Sequence, residues 1–224
     1  MRGFERLPGD VDDVVFDNGN FTIAGTDRSV GIVDIARRSF EAAHLPADLE
    51  VGFSERANFG PADPATFPSG AHLCEVEIDE ETGEVALTRY AAVDDVGRVL
   101  NPLLCEGQIH GGIVQGVGQA LMEDLAYDPA TGQLVSGSFQ DYCMPRADQF
   151  CGFDVANNPT LTEKNPLGVK GVGEAGTIAA IPAVMNAVNE ALARVGAPYV
   201  EAPATSEKLW RALRAARAGN PDLR

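Results

Sequence analysis

The sequence is short of positive charge. It has 17 Lys and Arg residues against 33 Asp and Glu residues, and its formal net charge is −16 at pH 7. Binding to a phosphate backbone depends on clustered Lys and Arg, which neutralise phosphates and displace counterions. The composition therefore predicts a chain that does not bind nucleic acid, and the acidity itself is typical of a soluble protein.

The sequence also has few cysteines, and none of them forms a CxxC pair. The four are Cys74, Cys105, Cys143 and Cys151. Their spacing suits neither a zinc site nor an iron–sulfur cluster, and the three histidines lie far apart in the sequence. We therefore predict free thiols in a reducing compartment and no metal ligand contributed by this chain.

Long hydrophobic runs are absent as well. No stretch approaches the roughly 18 consecutive apolar residues that are needed to span a membrane. The start of the sequence, residues 1–6, has no apolar core of a signal peptide. These absences predict a cytoplasmic chain without a membrane span.

What the sequence does contain is a series of short alternating segments separated by helical ones. Two hairpins are predicted around residues 17–20 and 79–83, because turn residues there separate apolar or alternating runs. Further strands are predicted over residues 134–142 and 153–155, and helices over residues 32–43 (capped from residues 26–29), 182–193 and 207–218. This order favours an α+β fold of mixed sheets and hairpins with packed helices.

The segment over residues 45–69 is different, because it is rich in Pro, Asp and Gly and shows no periodicity. We interpret it as an irregular connection, with a boundary between two sub-lobes near residues 45–70. At 224 residues the chain is long enough for one large domain or two small ones.

A glycine-rich stretch over residues 165–182 is the first candidate for a functional site. It places one carboxylate, Glu174, among four glycines and close to Lys170. Glycines this dense permit positive φ angles and let the backbone approach another body closely. A carboxylate held in such a loop, just before a helix, can be aimed at a reacting atom. The same pattern also fits a tight loop with a solvated acid, and by itself the stretch does not decide between the two.

The second candidate is the stretch over residues 107–123, which carries five glycines in seventeen residues. Its apolar residues Ile109, Ile113 and Val117 recur every four positions, which predicts a helix. An interior Gly costs a helix about 1 kcal/mol relative to Ala, so such a helix needs close approach to another helix or to a ligand. The amide of Gln108 is suited to a heteroaromatic edge or a phosphate. A packing helix with ordinary surface amides is the alternative.

Together, these motifs resemble the molybdenum hydroxylases, the xanthine dehydrogenase and aldehyde oxidase family. The resemblance rests on residues 93–102 (VDDVGRVLNP), 107–121 (GQIHGGIVQGVGQAL), 144–145 (MP) and 170–174 (KGVGE), in the order that the family shows. The chain is similar to the C-terminal part of the molybdopterin-binding large subunit, and the carbon monoxide dehydrogenase branch looks nearest. Residues 1–224 are therefore expected to form the C-terminal part of a molybdopterin-binding domain.

The resemblance implies a role for several residues. Glu174 occupies the position of the glutamate that lies beside the molybdenum and acts as general base. Gln108 occupies the position of a glutamine that contacts the pterin. The backbone of Lys170, Gly171, Val172 and Gly173 is expected to pass against the pterin and dithiolene end of the cofactor. The implied cofactor is molybdenum-molybdopterin in its cytosine dinucleotide form.

The resemblance also implies an activity and partners. It implies part of a hydroxylase or dehydrogenase that oxidises an aldehyde, an N-heterocycle or carbon monoxide with water-derived oxygen. The implied partners are the remaining portion of the molybdopterin subunit, an iron–sulfur subunit and an FAD subunit. The family's upstream motifs, including glutamine-rich pterin loops, are not found before residue 93. The chain is therefore expected to form one wall of an active site, as a split subunit or a fragment, and to be inactive alone.

Two other hypotheses compete with this one. A non-catalytic assembly or scaffold fragment would keep the fold, but it has no need of Glu174 and Gln108 in their motifs. A nucleotide-binding fold would use the glycines for phosphate. It lacks the required strand–GxGxxG–helix unit and the lysine of a P-loop.

Overall fold

The computed structural model of the chain describes residues 11–45, 50–54, 56, 58, 60 and 65–219. The chain divides into two compact units, Met1–Gly60 and Pro61–Arg224. Much of the connection predicted over residues 45–69 (residues 46–49, 55, 57, 59 and 61–64) lies outside the described residues, as does the start of the chain. Its described residues from 50 to 68 form no helix or strand. That the whole chain is part of one molybdopterin-binding domain, with a sub-lobe boundary near residues 45–70, stays a prediction.

The first unit contains a small antiparallel sheet and one short helix. The sheet has the order β1 (Val14–Asp17), β2 (Asn20–Ile23), β3 (Ser29–Gly31), and α1 (Ile32–Ser39) follows it, with single 3-10 turns at Val11–Asp13 and Ala42–His44. Among its described residues, Ile23 and Ile35 form the buried core, so the described part of this unit buries little apolar surface.

The hairpin predicted at the start of the chain is confirmed. Its two turn residues, Asn18 and Gly19, have φ angles of 46° and 79°, the left-handed conformation that a two-residue hairpin turn requires. The following helix begins at Ile32, as predicted, but it ends at Ser39 rather than at residue 43, and its predicted cap is wrong. Ser29 pairs with β2 as part of β3, and α1 begins after Gly31 without a side-chain cap.

The second unit contains a mixed three-stranded sheet. Its order is β4 (Ser69–Ile78), β5 (Val85–Asp95), β6 (Phe153–Asn157). β5 runs antiparallel to β4, with a bulge at Glu75 and Val76, and parallel to β6. The second predicted hairpin is therefore confirmed. One face of the sheet carries the fully buried Tyr90, and this face belongs to the main core.

Three helices complete the second unit: α2 (Pro102–Leu121), α3 (Ala175–Arg194) and α4 (Ser206–Gly219), with a 3-10 turn at Ala147–Gln149. Asn101 caps α2 by accepting a hydrogen bond from the backbone N–H of Leu104. None of the helices in the described residues is long and apolar enough to cross a membrane. Helices and mixed sheets together confirm the predicted α+β class.

α2 and α3 pack closely because glycines lie between them. A Cβ at Gly112 would lie 3.0 Å from the Cα of Gly176, and a Cβ at Gly116 would lie 2.7 Å from the Cβ of Ala180. The hydroxyl of Thr177 in α3 donates a hydrogen bond to the carbonyl oxygen of Gly112 at 3.0 Å. This contact fixes the N-terminal end of α3, and therefore Glu174 just before it, against α2.

Two predicted elements differ from the structure. The helix predicted from Pro182 begins seven residues earlier, at Ala175, and contains Pro182 in its interior. Packing on α2 holds these added residues helical despite the hydrogen bond that the proline removes. The strand predicted over residues 134–142 does not form. Leu134 makes only an isolated bridge, with Tyr127. Val135 and Phe139 are exposed, so the apolar side chains of this segment are not buried against a sheet.

Candidate functional site

The glycine-rich loop before α3 is fixed at its beginning by backbone and amide hydrogen bonds. The side chain of Asn165 both donates to the carbonyl of Val169 at 2.9 Å and accepts from its N–H at 3.1 Å. The N–H of Lys170 donates to the carbonyl of Val96 at 2.9 Å. Val169 also forms a bridge with Gly97. The loop is therefore attached to the end of β5 just before it reaches Gly171.

A nearly buried ion pair adds to this attachment. The ammonium of Lys170 lies 2.7 Å from a carboxylate oxygen of Asp95, and the two side chains are only 9% and 14% exposed. Asp95 also accepts hydrogen bonds from the backbone N–H groups of Thr160 and Gly97. Lys170, Thr160 and Gly97 hold the pKa of Asp95 well below its usual range. Lys170 thus uses both its N–H and its ammonium group to position the loop.

The following residues of the loop leave hydrogen-bond donors open. In the described part of the chain, the backbone N–H groups of Gly171, Val172, Gly173 and Glu174 have no hydrogen-bond acceptor. The side chain of Val172 packs on the main core and so anchors the loop to the second unit. A Cβ at Gly171 or Gly173 would meet no atom within 4 Å. Packing within the described chain therefore does not account for these two glycines, whereas their lack of a side chain leaves room for another body.

Gln108 links α2 to this open segment. Its side-chain amide donates a hydrogen bond to the carbonyl of Gly173 at 2.9 Å, although the two residues are 65 positions apart. The side chain is otherwise exposed, so its carbonyl oxygen and second N–H remain available. Gln115, a weaker candidate, instead lies 3.5 Å from the hydroxyl of Thr177, between the two helices.

Glu174 occupies the residue immediately before α3. Its carbonyl accepts the N–H groups of Thr177 and Ile178, both at 3.0 Å, so its backbone belongs to the first turn. Its side chain is exposed and does not cap the helix. The backbone of Glu174 is therefore fixed, and its carboxylate has no hydrogen-bond partner among the described residues. The hydrogen bond from Gln108 to Gly173 places Gln108, the open loop and Glu174 next to one another. Their roles toward a cofactor stay predictions.

Two residues that hold the site were not found by sequence reasoning. Asp95 and Asn165 make the ion pair and the amide clamp that position the loop. Asn165 follows a common pattern, since an Asn side chain often bonds the nearby backbone in loops. No local pattern signalled Asp95, because its partner Lys170 is 75 positions away.

Comparison with known proteins identifies the family. A model of the molybdopterin cofactor-binding domain matches residues 4–151, about two thirds of the chain. The chain belongs to this family. The match ends before the glycine-rich loop, but pairwise similarity to individual proteins extends over more than nine tenths of the chain.

The chain is similar to parts of larger proteins. It is 39% identical to the nicotine 6-hydroxylase large subunit of Paenarthrobacter nicotinovorans over 93% of the chain and 26% of that protein. It is 34% identical to the carbon monoxide dehydrogenase large chain of Hydrogenophaga pseudoflava over 90% of the chain and 25% of that protein. The solved structure of quinoline 2-oxidoreductase from Pseudomonas putida 86 matches 91% of the chain and 26% of its own, with 33% identity and a TM-score of 0.83. The chain thus spans about a quarter of the length of these relatives.

The residues present fit a pterin cofactor. The open segment, residues 171–174, offers four adjacent backbone N–H donors. Gly171 and Gly173 have no side chain that would block access to these donors. Gln108 adds one donor and one acceptor for a heteroaromatic edge. The described residues contain no group of three His, Cys, Asp or Glu side chains that could hold a metal ion directly.

Proposed function

We propose that this chain forms part of a molybdopterin-dependent hydroxylase or dehydrogenase in which Glu174 is the general base beside the molybdenum. The observation that carries the proposal is the hydrogen bond from Gln108 to Gly173, which joins the predicted pterin contact to the residue before the predicted base. Membership of the molybdopterin cofactor-binding domain family supports it.

Each group of the site has a part in this proposal. When bound, the cofactor supplies the Lewis acidity and the redox centre. The N–H groups of Gly171, Val172 and Gly173 would hold it, and Gln108 would orient its pterin edge. The backbone of Lys170 would lie against the cofactor, and its ammonium group holds the loop in place by pairing with Asp95. A carboxylate oxygen of Glu174 accepts the proton of the water-derived oxygen that attacks the substrate.

The exposed position of Glu174 supports a requirement for partners. A reacting carboxylate works in a site from which bulk water is excluded, and in this chain alone its side chain is exposed. We propose that the remaining portion of a molybdopterin subunit covers it, that iron–sulfur and FAD subunits remove the electrons, and that the isolated chain is inactive. The names of the relatives, a large subunit and a large chain, are consistent with such a complex.

The relatives also suggest the substrate class. Their names specify nicotine, carbon monoxide and quinoline. We propose a small carbon substrate that is an N-heterocycle, an aldehyde or carbon monoxide, and the cytosine dinucleotide form of the cofactor. A cytoplasmic location is proposed from the acidic composition and from four free cysteines.

The test is the substitution Glu174→Gln in the complex purified under mild conditions from cells that produce all its chains. The variant should keep the molybdenum content of the wild type, measured by elemental mass spectrometry. It should lose turnover of carbon monoxide, aldehydes and N-heterocycles by about 10²- to 10⁴-fold, because a general base contributes that much. Glu163→Gln, at an exposed carboxylate in the preceding loop, is the matched control and should leave turnover unchanged.

The alternative is a non-catalytic assembly fragment of such a complex, and it predicts a different result. Glu174→Gln would then leave assembly and every activity of the complex unchanged. A wild-type complex that contains no molybdenum would also contradict the proposed function.

A further inference from the structure

Helix α2 has two pairs of glycines on different faces, and the described residues account for only one pair. Gly112 and Gly116 face α3, where a Cβ would crowd the neighbouring backbone or side chain. At Gly107 and Gly111 a Cβ would meet no atom within 4 Å, and neither residue has a positive φ angle. Alanine is more favourable than glycine inside a helix, so both positions reduce the stability of α2 with no compensating contact in the described chain.

The open glycines lie beside exposed leucines. Leu103 and Leu104, in the first turn of α2, are 79% and 69% exposed, and Leu100, just before the helix, is 65% exposed. Leu103, Gly107 and Gly111 are spaced four residues apart and therefore share one face of the helix. We call Leu100, Leu103, Leu104, Gly107 and Gly111 the leucine–glycine stripe. It carries no charged residue, although the chain has a net charge of −16.

We propose that the leucine–glycine stripe receives an apolar segment of the polypeptide that corresponds to the remaining part of the relatives' large subunits. Its glycines would let the backbone of that segment approach α2 closely, as Gly112 and Gly116 do for α3. This inference rests on the proposed function and specifies where the covering partner binds.

Two observations favour this occupant. The matches cover 26% and 25% of the relatives, so about three quarters of their length lies outside the region shared with this chain. The stripe is also continuous with the candidate site, because the helix that carries it presents Gln108 to Gly173. A polypeptide that covers Glu174 and the open loop would therefore lie next to the N-terminal half of α2. The exposed leucines fit an apolar protein segment rather than the polar cofactor.

The first experiment places a photo-crosslinking amino acid at Leu103 or Leu104 in cells that produce the whole complex. The matched control position is Leu125, an exposed leucine outside the stripe. Crosslinked peptides identified by mass spectrometry should belong to a large-subunit sequence that aligns with the unmatched part of the relatives. The yield at the stripe should be at least tenfold above that at Leu125. Absence of such peptides, or crosslinks only to a second copy of this chain, would overturn the proposal.

The second experiment uses Gly107→Ala and Gly111→Ala. In the purified chain each should raise the melting temperature by about 2–4 °C, because the helix gains propensity without a clash. In the complex each should weaken co-purification with the large-subunit polypeptide at least tenfold, because the new methyl group occupies the contact. A variant that melts higher and still co-purifies normally would show that nothing packs on the stripe.

The two proposals fail in different ways. A complex whose assembly requires the leucine–glycine stripe but that contains no molybdenum would refute the proposed function and not the docking surface. The same holds for such a complex if Glu174→Gln leaves its turnover unchanged. Turnover that depends on Glu174, in a complex whose co-purification is unchanged by Gly107→Ala and Gly111→Ala, would refute the docking surface alone.

Discussion

At the scale of single residues, Asp95 holds the candidate site together. It pairs with Lys170 at 2.7 Å and accepts two backbone N–H groups, and these contacts join the end of β5 to the loop that carries Glu174. A carboxylate with three donors is stabilised in its charged form, which is why its pKa is held low. The position of Glu174 therefore depends on a residue that does not face the open surface.

This ion pair gives the protein a pH dependence that can be measured. Because the pKa of Asp95 is lower in the folded than in the unfolded state, its contribution is complete above the unfolded value of about 3.9 and is lost as the pH falls further. Thermal melts from pH 7 to pH 2 should show that Asp95→Asn is less stable than the wild type at neutral pH. The difference should shrink below about pH 4.

The comparison needs a control because Asp79 and Asp128 also have lowered pKa values and add to the acid sensitivity of both proteins. Asp148→Asn, at an exposed residue, should reproduce the wild-type profile. Parallel profiles of the wild type and Asp95→Asn over the whole range would contradict the assigned role of the ion pair.

At the scale of elements, the contact between α2 and α3 sets the geometry of the site. Gly176 lies in the first turn of α3, and a Cβ there would collide with the carbonyl of Ile109 and lie 2.9 Å from the N–H of Ile113. These are backbone atoms of α2, which cannot move aside as a flexible side chain can. The close approach brings Glu174 and Gln108 into one surface.

Gly176→Ala should therefore destabilise the protein by about 1–3 kcal/mol, the usual effect of adding a methyl group to a packed interior. Urea denaturation followed by circular dichroism measures the change. Gly107→Ala on the open face of α2 is the matched control, and it should instead stabilise by up to about 1 kcal/mol. Equal effects of the two substitutions would show that the helix crossing tolerates a side chain.

The same scale explains which elements could be predicted. Both hairpins follow from local turn chemistry, since an Asx-Gly or acidic turn between apolar runs specifies its own geometry. The strand expected at residues 134–142 fails because an apolar run needs a partner strand, and pairing is not encoded in the run itself. The early start of α3 was missed because Pro182 indicates a helix start locally, while packing on α2 decides the outcome.

At the scale of the whole molecule, the two units differ greatly in how much they bury. Among the residues that the structure describes, the main core contains eighteen buried residues, from Leu87 to Leu213, all within Pro61–Arg224. In the first unit, the buried core of the described residues consists of Ile23 and Ile35. Burial of apolar surface is the largest favourable contribution to folding, and a unit of about 60 residues is marginal even with a good core.

The candidate site also lies within the second unit, and its prediction from sequence was uneven for a physical reason. Glu174 and Gln108 were predicted from the resemblance of long motifs, and the structure places them close together, although their roles stay predictions. Asp95 was missed, because an ion pair between residues 75 positions apart is created by the fold and leaves no periodic signal.

The difference in buried apolar surface between the two units predicts how each would behave as a separate polypeptide. A polypeptide of residues 61–224 should fold by itself and melt cooperatively, because the core and the contacts around Lys170 and Gln108 are all internal to it. A polypeptide of residues 1–60 should be largely unfolded at 25 °C. Circular dichroism melts and amide spectra of both measure this, with the full chain as control. An aggregated or non-cooperative 61–224 polypeptide would mean that this core is insufficient and that the second unit needs the first, or a partner, in order to fold.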